Sequence, residues 1–213
     1  MKRYLVLAGN IGVGKSTLVE LLCQRLGWTP YYEPVAENPY LKDFYADMER
    51  WGFHSQAFFL MHRARSHRGL SLEPGSVVQD RSMYEDCEVF ARNLFMQGQL
   101  SSRDYQVYRD LYQVFVSLLP HPDLVVYLRA SVPTLRRRIA LRARAYEQEI
   151  PEAYLQGLNL LYEDWIGSFQ LAPVLAVETD ELDIPGHPDH LDAVVTRIET
   201  ALREGQELLD FPT

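Results

Sequence analysis

Residues 9–17 read GNIGVGKST and match the pattern G-x-x-x-x-G-K-[ST] at every fixed position. The apolar run 4–8 precedes this motif without polar alternation, which is typical of a parallel strand buried on both faces. After the motif, apolar residues recur at helical spacing up to Leu26, and Gly27 is well placed to end the helix. The sequence therefore predicts a strand, a glycine-rich loop and a helix, and this unit restricts the folds open to the chain.

The chemistry of this loop favours an anion as its ligand. Its backbone N–H groups and the N-terminus of the following helix point into the loop, where a polyphosphate fits. Lys15 reaches the outer phosphates of such a ligand, and the hydroxyl of Ser16 is a ligand for Mg²⁺. A chance match in a glycine-rich turn is the alternative. The residues expected to hold a nucleoside triphosphate are Gly9, Asn10, Ile11, Gly12, Val13, Gly14, Lys15, Ser16 and Thr17.

Composition narrows the class of protein. The 213 residues carry a net charge of −8, which argues against a nucleic acid polymer as the main partner. No apolar run approaches the roughly 18 residues of a membrane span, and the first predicted strand begins too early to leave room for a signal peptide. Cys23 and Cys87 lack metal-ligand spacing, so we expect buried thiols in a reducing compartment. We expect a single domain over residues 1–213, located in the cytoplasm.

Short apolar segments alternate with helical patterns along the chain. Helical spacing of apolar residues indicates helices between these segments and after the last of them. Such alternation predicts an α/β fold, with a parallel sheet of about five strands and helices on both faces. The predicted strands are residues 4–8, 29–32, 76–79, 123–128 and 173–179.

Charged residues directly follow two of the predicted strands. Glu33 stands after the second strand, and Asp80 and Arg81 stand after the third. Because ligands of open parallel sheets bind at the carboxyl ends of the strands, Glu33 is a candidate for catalysis, with a solvated loop glutamate as the alternative. Asp80 is placed to hold Mg²⁺ beside the phosphates, and the planar fork of Arg81 is suited to clamp a phosphoryl or hydroxyl oxygen.

A helix predicted over residues 54–67 carries polar groups on one face. Gln56, Phe59 and Arg63 recur on that face. A core-facing stripe would not normally carry an amide and a guanidinium, so a binding face competes with the alternative of a solvated helix edge. Asp86 stands near the first turn of a later helix, where stabilisation of the helix dipole is the simpler role.

Three further segments bear on the site. Residues 39–51 are rich in aromatic side chains, and we expect an irregular segment that covers part of a pocket. A helix predicted over residues 101–119 has an aromatic stripe of the kind found in a core or a subunit interface. Residues 136–150 begin with arginines on a helix, which indicates either a solvated basic face or a mobile lid that brings cations over a transferred phosphoryl group. The stripe consists of Tyr105, Tyr108, Tyr112, Phe115 and Leu119.

Taken together, the motifs resemble those of the deoxynucleoside kinases related to deoxycytidine and deoxyguanosine kinase. The similarity covers nearly the whole chain, and several motifs in one order with matched spacing are more specific than the glycine-rich loop alone. The motifs are GNIGVGKST, Glu33-Pro34-Val35, residues 45–56 with Glu49-Arg50-Trp51, Arg63 seven residues after Gln56, Asp80-Arg81-Ser82 with Asp86, and the arginine lid followed by Ile150-Pro151 and Tyr154.

The resemblance implies catalytic roles for three residues. Glu33 would be the general base for the 5′-hydroxyl of a nucleoside, and Arg81 would position the 5′ end. Lys15 would act on the phosphates. Asp80 would organise Mg²⁺ together with Ser16.

The resemblance also implies how the two substrates are held. Gln56 would hydrogen-bond the base edge, and the paired Arg63 and Asp86 would read the remaining base substituents. Tyr45 and Glu147 would bind the sugar 3′-hydroxyl. Rings and bulky groups around the base would be Phe59, Phe90 and Met83, with Phe90 stacked on it. The cations that would close over the phosphates and the donor nucleotide are Arg138, Arg142 and Arg144.

The function so implied is ATP-dependent phosphorylation of the 5′-hydroxyl of a deoxynucleoside. We expect deoxyadenosine or deoxyguanosine, with deoxycytidine as the alternative, because the Arg63 and Asp86 pair resembles members that accept purines or cytosine. A nucleoside monophosphate kinase shares the fold and the lid and is a second alternative. A P-loop switch protein would need a guanine-reading N-K-x-D motif, which the sequence lacks. Family members are commonly dimers, which implies a homodimer through the stripe of residues 101–119.

Overall fold

The computed structural model describes residues 2–32, 38–144, 147 and 150–210, with residues 206–210 as backbone only. Within these residues, five parallel strands form one sheet in the order β2-β3-β1-β4-β5, so β1 lies at its centre. The prediction of an α/β fold with a five-stranded parallel sheet is confirmed. The strands are β1 (Tyr4–Gly9), β2 (Thr29–Tyr31), β3 (Val77–Asp80), β4 (Leu124–Arg129) and β5 (Val174–Glu178).

The central strand is apolar throughout because both sides of the sheet are covered. On β1, Tyr4, Val6 and Ala8 belong to one apolar cluster, whereas Leu5 and Leu7 belong to a second. Each of these side chains is 5% exposed or less. Since alternate residues of a strand point to opposite faces, the two clusters are two core layers, one on each side of the sheet.

Helices supply both layers. Among the described residues, none of the helices is long and apolar enough to cross a bilayer. Their bounds are α1 (Lys15–Leu26), α2 (Leu41–Ala46), α3 (Met48–Leu72), α4 (Met83–Glu85), α5 (Arg92–Met96), α6 (Ser102–Leu118), α7 (Val132–Arg142), α8 (Glu152–Ser168) and α9 (Pro188–Asp210).

A π-helical segment, Asp86–Ala91, joins α4 to α5. A π turn is wider than an α turn and is found mostly as a single turn, frequently at functional sites. Asp86 and Phe90 lie on this widened turn, and both are buried, with exposed fractions of 1% and 6%. The turn therefore places two of the predicted site residues, and the helical spacing of the sequence does not reveal it.

The helix predicted over residues 54–67 is longer than expected. α3 begins at Met48, and α2 occupies much of the segment before it. Asp47 supplies the physical reason, because its carboxylate accepts the N–H of Arg50 at 3.1 Å and caps the helix. The prediction of an irregular segment over residues 39–51 was therefore wrong.

The aromatic stripe of α6 faces the core of its own chain. Tyr108 is fully buried, and the other four residues of the stripe pack against the same apolar cluster. The stripe therefore packs on the core of its own chain, and another face of α6 is exposed. Large apolar side chains on that exposed face are Val107, Leu111, Val114 and Leu118, which are 42–73% exposed.

His67 is a buried titratable group on α3. Its ring centroid lies 5.0 Å from that of Tyr4, and its Nε2 atom lies 2.7 Å from the carbonyl oxygen of Pro120. Burial disfavours the imidazolium ion and lowers the pKa of His67 to about 4. An unfolded chain binds the same proton near pH 6.5, so folding and protonation of this side chain oppose each other.

We expect the protein to lose stability as the pH falls from about 6.5 towards 4, where the folded form takes up the proton. Across this interval each pH unit lowers the free energy of unfolding by up to about 1.4 kcal/mol, since only the unfolded chain is protonated at His67. Urea unfolding near pH 7 and near pH 5 measures this slope. His67→Gln should have a shallower slope than the wild type, whereas the exposed-site control His187→Gln should match the wild type. Equal slopes in all three proteins would exclude His67 as the source.

Candidate active site

A cavity of about 470 Å³ opens at the carboxyl ends of β1 and β3. Most of the residues singled out in the sequence line it, although they come from segments far apart in the chain. Glu33, the predicted base, lies outside the described residues. The predicted residues that line the cavity are Ile11, Gly12, Gly14, Lys15, Ser16, Tyr45, Gln56, Phe59, Arg63, Asp80, Arg81, Asp86, Phe90, Arg142, Arg144 and Glu147.

The glycine-rich loop has the backbone geometry that its sequence predicts. Gly9 has φ +144°, and a Cβ atom there would lie 2.6 Å from the carbonyl oxygen of Leu128. Gly12 has φ +82°, and its Cβ would lie 2.7 Å from a side-chain carbon of Ile139. Only glycine combines these φ values with such close neighbours. The loop thus closes tightly onto β4 and α7, with the N-terminus of α1 facing the cavity.

Lys15 and Asn10 hold the loop in this shape. The ammonium of Lys15 donates to the carbonyl oxygens of Gly9 at 2.6 Å and of Asn10 at 3.1 Å. The amide of Asn10 accepts the N–H of Ile11 at 2.7 Å and donates to Asn159 of α8 at 2.6 Å. Asn10 is 2% exposed and does not line the cavity, so its side chain ties the loop to α8.

Ser16 and Asp80 form an oxygen pair at the floor of the cavity. The Ser16 hydroxyl donates to Oδ2 of Asp80 at 2.5 Å. The other oxygen, Oδ1, is buried and has no hydrogen-bond partner among the described residues. A hard cation such as Mg²⁺ prefers carboxylate and hydroxyl oxygens beside phosphates. The residues present therefore fit Mg²⁺ at this position.

Arg81 has a strained backbone next to this pair. Its φ is +63°, in the left-handed region that L-residues other than Asn and Asp seldom adopt. Its side chain is buried, and the guanidinium lies 4.3 Å from the ring centroid of Phe90. This contact with the ring holds the guanidinium at the wall of the cavity, where its planar fork can bind an oxygen of a ligand.

The far end of the cavity holds a buried ion pair. Arg63 and Asp86 lie 2.8 Å apart and are 3% and 1% exposed. The guanidinium of Arg63 also lies 5.1 Å from the ring centroid of Phe59. Gln56, on α3, is also buried, with 4% of its surface exposed. An amide, a guanidinium and a carboxylate in a nearly dry pocket can read a polar planar ligand by hydrogen bonds.

Glu147 is shared by two arginines above the cavity. Its carboxylate accepts from Nε of Arg142 at 3.0 Å and pairs with Arg144 at 3.4 Å. Glu147 is 5% exposed, so this buried carboxylate is paired with two cations. The residue predicted to bind the sugar, Glu147, is therefore paired with two arginines predicted to bind phosphates, Arg142 and Arg144.

Arg138 occupies a different place from the other two lid arginines. Its guanidinium donates to the carbonyl oxygens of Val13 at 3.0 Å and of Thr179 at 2.5 Å. Burial lowers the pKa of Arg138 from its ordinary value. With Val13 and Thr17 it lines a neighbouring cavity of about 450 Å³ on the other side of the glycine-rich loop.

Some cavity residues were given no role in the site by the sequence prediction. Tyr154 is 5% exposed, and burial raises its pKa to about 12, so the phenol stays protonated. Its position at helical spacing with Leu158 reads as core, and only the fold shows that it faces the cavity. Met83, predicted to flank the base, is fully buried in the core and is not among the residues that line the cavity. Leu41 and Phe44 also line the cavity, so the prediction that residues 39–51 cover part of a pocket is confirmed, whereas Tyr32 is a lining residue that was not predicted.

Comparison with known proteins identifies relatives with the same sequence pattern. A family model described as deoxynucleoside kinase matches residues 5–203. The chain is 36% identical to the deoxyadenosine/deoxycytidine kinase of Bacillus subtilis (strain 168), over 95% of this chain and 94% of that protein. It is 31% identical to the deoxyguanosine kinase of the same organism, over 92% of this chain and 96% of that protein.

Solved structures agree with these matches. Deoxyadenosine kinase from M. mycoides, with the products dCMP and a flexible dCDP bound, superposes with a TM-score of 0.82 at 29% identity. The same enzyme with bound dATP gives a TM-score of 0.81 at 28% identity, and both matches cover 92% of this chain and 99% of that chain. The family model spans nearly the whole chain. The chain therefore belongs to the deoxynucleoside kinase family and is a kinase that phosphorylates a deoxynucleoside.

Proposed function

We propose that the protein transfers the terminal phosphoryl group of ATP to the 5′-hydroxyl of deoxyadenosine or deoxyguanosine, with deoxycytidine as the alternative acceptor. One observation carries the proposal: a single cavity has a phosphate-binding loop at one end and a buried amide and ion pair at the other. The first end suits a triphosphate, and the second suits a nucleobase. A single domain over residues 1–213, with a lid at residues 136–150, forms this site.

The phosphate end calls mainly for positioning and neutralisation of charge. The loop N–H groups and Lys15 hold the donor phosphates, and Ser16 and Asp80 hold Mg²⁺. When bound, Mg²⁺ neutralises charge that develops on the phosphate oxygens. Arg142 and Arg144 add positive charge from the lid. Glu147, whose carboxylate pairs with both arginines, is the group that the sugar 3′-hydroxyl would approach.

The acceptor hydroxyl requires a base and an orienting group. Glu33 is the proposed base, and it lies outside the described residues. The proposal is supported by strand β2, which precedes Glu33 in the sequence. In β2, Tyr31 pairs with Gln79 of β3, one residue before Asp80. The chain therefore leaves β2 at the same edge of the sheet as Asp80 and Arg81. Arg81 orients the 5′ end of the acceptor, and Tyr45 binds the sugar.

Gln56, Arg63 and Asp86 are the proposed readers of the base. An amide both donates and accepts, so it can pair with the amino and ring-nitrogen edge of adenine or cytosine. Turned over, the same amide can pair with the carbonyl and N–H edge of guanine. The rings of Phe59 and Phe90 line the cavity and offer flat surfaces for the base. This set accepts three bases, and the relatives named above carry the names of all three.

A panel of acceptors tests the proposal directly. Deoxyadenosine, deoxyguanosine, deoxycytidine, thymidine and the corresponding monophosphates are incubated with ATP and Mg²⁺, and product formation is measured for each. We expect one or two of the purine nucleosides to react fastest and the monophosphates not to react. Preference for deoxycytidine would select the alternative acceptor. Transfer to monophosphates alone would contradict the roles given to Glu33 and Gln56 and favour a nucleoside monophosphate kinase.

Arg63→Met separates stability from recognition at the buried pair. Removal of the guanidinium leaves the Asp86 carboxylate buried without its cation, so the free energy of unfolding should fall by about 3–5 kcal/mol. Deoxynucleoside binding should be lost at the same time. Urea unfolding and isothermal titration with deoxyadenosine, deoxyguanosine and deoxycytidine measure the two effects.

Arg63→Met combined with Asp86→Asn is the matched control. It removes the uncompensated charge, so most of the lost stability should return while deoxynucleoside binding stays absent. Recovery of binding in the double variant would show that the pair only supports the fold.

We also propose a homodimer, formed by the exposed apolar face of α6. Four large apolar side chains on one helix form a surface of the kind that a second copy covers in an isologous contact.

The cytoplasm is the proposed location, in keeping with the two free and buried cysteines.

Leu111→Asp tests the dimer. A charge at the centre of this face should convert the dimer to a monomer, because the carboxylate would lose its water on association. Light scattering after size-exclusion chromatography measures the mass. Leu160→Asp, at an exposed leucine on α8, is the control and should leave the mass unchanged. A wild-type protein that elutes as a monomer would contradict the proposal.

A further inference from the structure

Glu85 is a fully buried carboxylate that the roles proposed above leave unused. It lies on α4, three residues after Ser82, and its Oε2 accepts the N–H of Ser82 at 2.9 Å in a capping box. Its other oxygen, Oε1, accepts the N–H of Gly9 at 3.1 Å and the hydroxyl of Tyr162 at 2.7 Å. A helix cap requires only the first of these bonds. Glu85 therefore joins three segments that are distant in the chain.

These contacts lie where β1 and β3 separate. The paired register of the two strands ends at Leu7 and Asp80, and the N–H of Arg81 then donates to the carbonyl of Leu7 at 3.0 Å. Past this point β1 continues into the glycine-rich loop and β3 into the turn that begins α4. Beyond the last strand hydrogen bond, the carboxylate of Glu85 links the two segments. Its Oε1 accepts the N–H of Gly9, and its Oε2 accepts the N–H of Ser82.

Arg81 stands inside this junction. Its backbone has φ +63°, a conformation that persists only where the surroundings hold it. The carbonyl of Leu7 holds the N–H of Arg81 itself, and Glu85 holds the N–H of the next residue, Ser82. The peptide groups on both sides of Arg81 are therefore fixed, one by a strand and one by the buried carboxylate.

Gly9 is held from both sides of its peptide as well. Its N–H donates to Glu85, and its carbonyl oxygen accepts from Tyr162 at 2.8 Å and from Lys15 at 2.6 Å. Tyr162, on α8, shares its single hydroxyl proton between the Gly9 carbonyl and the Glu85 carboxylate. The first residue of the phosphate-binding loop has little freedom to move relative to the Glu85 carboxylate.

We propose that Glu85 is a positioning residue that sets the distance between the phosphate-binding loop and Arg81. The inference rests on the proposed function, in which the loop holds the donor phosphates and Arg81 orients the acceptor hydroxyl. Phosphoryl transfer depends on that distance, since a misplacement of about 1 Å can lower the rate about 100-fold.

An amide is a poor replacement for this carboxylate. The backbone N–H groups of Gly9 and Ser82 approach opposite oxygens of Glu85, and both can only donate. In Glu85→Gln the NH₂ group would therefore face one backbone donor whichever way the amide is turned. Either Gly9 or Ser82 would therefore lose its hydrogen bond to residue 85, although the side chain keeps its size. This makes Glu85→Gln the sharpest test.

Steady-state kinetics of Glu85→Gln test the proposal. We expect kcat to fall about 10- to 100-fold, with KM for ATP and for the acceptor each within about 3-fold of the wild type. Glu163→Gln is the matched control, because that glutamate is also hydrogen-bonded, to Tyr127 at 2.9 Å, but lines neither cavity. Its kcat should stay within about 2-fold of the wild type. A kcat of Glu85→Gln equally close to the wild type, or a loss seen only as a rise in KM, would overturn the proposal.

Glu85→Asp keeps the inference testable if Glu85→Gln does not fold. Aspartate keeps the charge and is one methylene shorter, so it can cap Ser82 without reaching Gly9. A reduced kcat at unchanged KM is expected, and wild-type kcat would overturn the proposal. The acceptor is whichever compound the panel identifies. If the wild type phosphorylates only monophosphates, the proposed function fails, whereas the ratio of kcat between variant and wild type still tests Glu85.

Discussion

The pairing of β1 between β3 and β4 is the constraint on which the rest of the structure depends. Its register places Leu7 beside Asp80 and Gly9 beside Leu128, so the glycine-rich loop and Asp80 reach one edge of the sheet together. Gly9 passes so close to the Leu128 carbonyl that a side chain would not fit. Because β1 is central and buried on both faces, a shift of its register would disturb both core layers.

The site keeps its charges buried by pairing them with groups of the same chain. Arg63 is paired with Asp86, and Glu147 with Arg142 and Arg144, while Lys15 binds loop carbonyls. A buried charge without such partners would be strongly unfavourable. Substrates can then exchange contacts with groups that are already in place. The same pairing explains why removal of one charged partner, such as Arg63, would lower the stability of the fold.

Much of the site could be predicted from the sequence, because its motifs act over short distances. The glycine-rich loop, Asp80 and Arg81 directly follow predicted strands, and helical spacing was enough to put Gln56, Phe59 and Arg63 on one face. The early start of α3 was not predicted, because residues 39–51 show no clear helical pattern. The helix begins there because a single residue, Asp47, caps it. Arg138, which the resemblance groups with the lid arginines, donates to carbonyl oxygens of residues that line the neighbouring cavity.

The sequence by itself determined the local chemistry: a loop that binds phosphates, the strands that carry it, and the acids, amides and arginines available to the site. These follow from the pattern of a few neighbouring residues. Only the tertiary structure decided that the α6 stripe is core, that Tyr154 faces the cavity, and that Glu85 bridges Gly9 and Ser82. The physical reason is that burial and hydrogen bonding of these side chains depend on segments distant in the chain, whose arrangement is set by how the sheet and helices pack.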